Sequence, residues 1–97
     1  FGDRLTMVTM GGEVVVDYSL RLKRQLGKNR VVWVAGYSND VMGYIPSLRV
    51  LREGGYEGGE AMRYIRSTPH PGPWAETIEG RLIDRIYFLD RQLNTGP

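Results

Sequence analysis

The sequence predicts an α/β fold: a small parallel or mixed sheet with flanking helices, including a long C-terminal helix, built as part of a larger domain. Three observations carry this. Residues 30–37, RVVWVAGY, form a short continuous β-branched and aromatic run, which predicts a strand buried on both faces. A helical stretch separates this run from an earlier strand-like one, the order of a βαβ unit whose strands are parallel and whose crossover is right-handed. From Trp74 onward, apolar residues return every three or four positions, the spacing of a helix.

The chain has 97 residues, enough for one small domain over 1–97, and no internal repeat suggests a second. With 41% hydrophobic and 25% charged residues the composition is that of a globular chain, so a folded core is expected. The absence of cysteine excludes disulfides, CxxC redox chemistry and thiolate zinc sites. A formal net charge of +2 is too small to argue for nucleic acid, and no such partner is expected. No apolar run reaches the length of a membrane helix, and the first residues lack a signal-peptide pattern. The chain starts at Phe1-Gly2-Asp3 and enters a strand almost at once, so it is expected to be a piece of something longer. A small sheet cut from a larger domain leaves apolar faces uncovered, and the remainder of the parent chain, or self-association, is expected to cover them.

Taken in order, Leu5 to Met10 (LTMVTM) mixes apolar and threonine positions of high β propensity and suits a strand with one buried face. Gly11-Gly12 ends it and leaves Glu13 at a strand end, where α/β folds gather ligands. Asp17 is placed to cap a helix running to about Leu26, with Gly27 as its left-handed stop and Lys23 and Arg24 in its last turn. Tyr18, Leu22 and Leu26 share one face of it. Arg21, Lys23 and Arg24 form the solvated face, with no interleaved aromatic residues of the kind that nucleic-acid binding uses. After the strand at 30–37, Pro46-Ser47 starts a short helix to about Arg52, which Gly54-Gly55 ends.

Residues 57–66 suit a short strand or a helical turn equally. Residues 67–73, STPHPGP, hold three prolines and predict a loop; His70, the single histidine, is read as a solvated residue of that loop. The last helix is expected from Trp74 to Leu93, with Glu76 and Glu79 near its start and Arg91 near its end, as the helix dipole favours. Gly80 inside it predicts close packing against another element.

The stretch from Tyr37 to Gly59 places two tyrosines, Tyr44 and Tyr56, twelve residues apart and each preceded by glycine. Glycine lets the backbone adopt positive φ or approach another group closely, so it can aim a neighbouring side chain. If the two predicted strands are parallel, their carboxyl ends share one sheet edge and bring Glu13 near Tyr44.

These residues also carry a family resemblance. Gly11-Gly12-Glu13 followed by LRLKR, the run VAGYSND to Gly43-Tyr44, and YEGG at 56–59 occur in the order and spacing of the closing part of the catalytic domain of neutral/alkaline non-lysosomal ceramidases and their bacterial relatives. The similarity covers roughly Leu5 to Gly59. It implies the C-terminal portion of a zinc amidase catalytic domain that cleaves an N-acyl amide bond, with an N-acyl lipid or other amide as substrate. It implies Zn²⁺ as cofactor, Glu13 and Tyr44 as metal ligands, and Tyr56 as the tyrosine that stabilises the oxyanion. The family's other ligands are histidines earlier in the chain, and its members' locations imply a secreted, periplasmic or membrane-associated protein.

The sequence departs from the family at Val14 to Asp17, where the family has an FTTM-like run, and at Glu60-Ala61, where it has serine and threonine. The implied substrate is therefore an amide or related ester in general rather than ceramide in particular. The competing expectation is a non-catalytic structural or interaction module that keeps the family scaffold.

Overall fold

The structure is a computed structural model that describes residues 1–40, 43–55 and 74–95. In chain order the elements are β1 (Leu5–Thr9), β2 (Glu13–Val14), α1 (Val16–Leu26), β3 (Val31–Ala35), β4 (Tyr44–Ile45), α2 (Leu48–Glu53) and α3 (Ile78–Thr95). The α/β class stands. β1 and β3 pair in parallel, from Leu5 opposite Val31 to Thr9 opposite Ala35, with α1 as the connection between them. The sheet does not stop at the glycine pair. The chain steps sideways through Gly11-Gly12 and resumes as β2, which pairs in parallel with β4 in a second two-stranded sheet.

The core follows from the two periodicities. Val8 and Val32 are inward positions of β1 and β3, and Tyr18 and Leu22 lie one turn apart on the inner face of α1. Met10, Ile45 and Ile83 complete the buried cluster, and Ile78, Leu82 and Ile86 of α3 pack against it from the edge. Burying side chains of this kind contributes about 1.5–3 kcal/mol each. Polar links join α3 to the first half of the chain: Arg21 to Glu79, Tyr87 to Gln25, and Arg30 to Asp90 at 2.8 Å. Residue numbers rise together on both sides of this seam, so α1 and α3 run side by side in the same direction.

Several local expectations need correction. β3 is buried on one face only: Val32 is buried, while Val31 and Trp33 are exposed, and Trp33 pairs with Met7, also exposed. Among the described residues the helices cover one side of the sheet, so a continuous apolar run did not require two covered faces. Asp17 does not cap α1. Val15 occupies the cap position without a side-chain bond, and Asp17 sits in the first turn, free to reach α2.

Gly27 has φ −89°, so handedness is not why glycine stands there. A Cβ at this position would lie 2.3 Å from the Lys23 carbonyl oxygen, and close approach excludes other residues. α3 begins at Ile78 rather than Trp74. Among the described residues Gly80 meets no close neighbour, since a Cβ there has nothing within 4 Å.

Candidate active site at the β2 and β4 pair

Glu13 and Tyr44 are direct register partners across the β2–β4 ladder. Strand neighbours lie about 4.8 Å apart, and opposite residues of a parallel pair project to the same side. Ile45, the next residue, turns inward and is buried, which leaves Glu13 and Tyr44 on the outer side of the ladder. The two residues therefore meet by strand pairing. Glu13 opens a strand instead of closing one, and the expected meeting of two carboxyl ends is not how the pair is made.

The backbone around the pair is built for close approach. The Gly12 N–H donates to the Asp40 carbonyl and the Glu13 N–H to that of Gly43, each at 2.8 Å. Tyr37 N–H returns to the Gly12 carbonyl at 2.8 Å, and Ser38 N–H to that of Met10 at 3.0 Å. Gly12 has φ 74°, and a Cβ on it would stand 2.8 Å from Ile45 Cγ1 and 3.0 Å from the Gly43 oxygen. Only glycine passes there. Trp74 closes the far side: its indole Nε1 donates to the Tyr44 carbonyl oxygen at 2.8 Å.

Two residues of the connecting loop hold left-handed backbone, Tyr37 at φ 54° and Asn39 at φ 69°. Asparagine accepts this conformation readily. A tyrosine does so at a cost of order 1–3 kcal/mol, which persists only where surrounding bonds enforce it. The nearby Glu13 carboxylate, foremost as an acceptor for the phenol and less through desolvation and its charge, holds the Tyr37 phenol above its ordinary titration range. Sequence reasoning did not single out Tyr37, although Gly36-Tyr37 repeats the glycine-tyrosine pattern that marked Gly43-Tyr44. Trp74 was assigned to a helix face; no sequence signal distinguishes an indole that bonds a strand carbonyl from one that packs in a helix.

Tyr56 and His70 lie outside the described residues. The hollow beside Glu13, of about 310 Å³, is walled otherwise by Val14, Val15, Val16, Asp17, Arg49 and Val50, so Tyr44 does not share it. Among the described residues no group of three or more His, Cys, Asp or Glu stands close enough to hold a metal. A carboxylate and a phenolic oxygen on adjacent strands are nonetheless donors that zinc accepts, and they fit as part of the three or four it needs.

No family model, curated protein or solved structure matches the chain.

Beneath the pair, two carboxylates fix the helix that follows β4. Asp17 accepts from the Ser47 hydroxyl and from Arg49 at 3.1 and 3.0 Å, while Ser47 Oγ caps α2 by accepting from Val50 N–H at 3.3 Å. Glu79 accepts from the Leu48 N–H at 2.9 Å and from Arg21. The Arg49 bond foremost, then the Ser47 bond, holds the Asp17 carboxyl below the usual carboxylate value, against a smaller opposing effect of burial. Tyr18, buried in the core, donates to the Pro46 carbonyl at 2.8 Å, and burial pushes its phenol far above the ordinary range. The turn after Tyr44 is thus held by three anchors on α1 and α3.

Proposed function

We propose that these residues are the C-terminal portion of a ceramidase-like zinc-dependent hydrolase that cleaves an N-acyl amide bond. The observation that supports the reading best is the register pairing of Glu13 with Tyr44, an anionic and a phenolic oxygen donor on the same side of one short ladder. Bound zinc supplies Lewis-acid activation of water for attack on an amide carbonyl. Glu13 supplies negative charge to the metal, and Tyr44 a second oxygen from the facing strand. Their backbones are tied into the same hydrogen-bonded turn, so their separation is set before any ligand arrives. In this reading Tyr56 offers a hydroxyl to the oxyanion that develops on the carbonyl oxygen.

The test is a pair of substitutions in the full-length protein, with zinc content and hydrolysis of N-acyl substrates measured together. Glu13→Gln removes the anionic ligand and is expected to lose metal and activity together. Tyr56→Phe is expected to retain zinc and lose about 10²–10³ in kcat, the usual effect of removing one oxyanion donor. If both variants hydrolyse amides at the wild-type rate, the enzymatic reading fails and a scaffold-only module is the better account.

A further inference from the structure

α1 and α2 flank an open hollow of about 620 Å³, separate from the Glu13–Tyr44 ladder. From α1 it is lined by Asp17, Leu20, Arg21 and Arg24, which recur at the three- and four-residue spacing of one helix face. From α2 come Leu48, Arg49, Arg52 and Glu53, and Glu79 joins them from α3. The arginines of this wall are not equivalent. Arg21 is bonded to Glu79, and Arg49 to Asp17 and to Glu53, each at 3.0 Å, so the carboxylates of the wall are already taken. Arg24 and Arg52 have no hydrogen-bond or ion-pair partner among the described residues. Each stands in the last turn of its helix, where the dipole favours a cation. The dipole does not account for two unpaired cations, from two helices, on the wall of one hollow.

We propose that this hollow binds a phosphate monoester, with Arg24 and Arg52 holding the phosphoryl group from the two helices. The proposal is independent of the zinc reading above. A guanidinium is a permanently charged, planar fork of N–H donors that matches phosphate oxygens two at a time. A terminal phosphoryl group carries about −1.5 to −2 charge at neutral pH and three acceptor oxygens, enough for both forks. A phosphodiester has a single negative charge to set against the two cations. The frame is in place before any ligand arrives: Asp17 ties α1 to α2 through Ser47 and Arg49, and the Tyr18 hydroxyl donates to the Pro46 carbonyl at 2.8 Å. Leu20, 60% exposed, and Leu48 add an apolar strip to the wall, which bare phosphate leaves unused and an ester with an aromatic or apolar group covers. Glu53 is the most exposed of the wall carboxylates and opposes an incoming anion.

The experiment titrates the full-length protein with phenyl phosphate and with inorganic phosphate by calorimetry at one fixed low salt concentration, with urea midpoints measured alongside. Phenyl phosphate is expected to bind more tightly than inorganic phosphate. Arg24→Gln and Arg52→Gln are each expected to weaken phenyl phosphate about tenfold, the usual effect of losing a charge-assisted bond. Their midpoints are expected to stay at the wild-type value, because neither side chain has a partner to lose. Glu53→Gln is expected to tighten both probes. Arg4→Gln makes the same change of charge outside the hollow and is expected to leave binding as it is. Wild-type affinity in both Arg24→Gln and Arg52→Gln overturns the site, and so does equal weakening by Arg4→Gln, which reduces the effect to general surface charge. Wild-type protein that binds neither soluble probe overturns it as well. If that protein nonetheless captures phosphatidylglycerol vesicles, the surface takes a diester headgroup and the monoester assignment is wrong.

Discussion

The indole of Trp74 donates to the main-chain oxygen of Tyr44, a residue 30 positions earlier, at 2.8 Å. This bond ties the segment entering α3 to the strand that carries the candidate site, and it holds a carbonyl on the outer edge of a ladder only two residues long. Trp74→Phe keeps an aromatic ring in place and removes the donor. The expected loss is about 1 kcal/mol, seen as a lower urea midpoint with the slope preserved. An unchanged midpoint would show that water replaces the indole without loss.

Gly12 and Gly80 make a matched pair of opposite sign. Gly12→Ala places a methyl against Ile45 and the Gly43 carbonyl at positive φ and is expected to cost about 1–3 kcal/mol. Because Gly12 adjoins Glu13, the same change is expected to displace the carboxylate and reduce zinc affinity. Gly80→Ala puts a methyl where no described residue comes within 4 Å and is expected to stabilise by about 1 kcal/mol, with no change in zinc binding. Denaturation midpoints of the two variants moving in the same direction would contradict the geometry described for one of them.

The Asp17 carboxyl is held below its ordinary value of 3.8 by Arg49 and Ser47. Its folded form takes up a proton less readily than its unfolded form, so the stability it contributes is present above the ordinary carboxylate value and lost as pH falls through and below it. Asp17→Asn is expected to lower stability at neutral pH and to converge with wild type in acid. Urea midpoints measured from about pH 2 to 6 provide the check. A wild-type to variant difference that stays constant over that range would rule out the linkage.

Much of the fold was legible in the sequence because it depends on short-range pattern. The βαβ order, the parallel pairing and the helix from Ser47 follow from apolar periodicity and from cap residues within a few positions of one another. The nearness of Glu13 to Tyr44 was also legible, although it arises from the β2–β4 ladder and not from the expected meeting of two strand ends. The misreadings have a common origin: they concern what a side chain meets across the fold. Asp17 has the chemistry of a helix cap, but a partner set on α2, some 30 positions away, takes its carboxylate instead. Trp33 has the composition of a core strand, yet no described helix covers its side.

The sequence by itself determined the strands β1 and β3, the helix between them and the helices that follow, which face of α1 is apolar, and that oxygen donors cluster between Gly12 and Tyr44, because each of these is written in local spacing and residue type. Only the tertiary structure decided that Glu13 begins a second ladder directly opposite Tyr44, that Tyr37 turns back onto Glu13, and that Trp74 bonds the strand carbonyl. Those relationships join residues 24 to 31 positions apart. Their partners are chosen by how the chain closes on itself, and no local pattern encodes that closure.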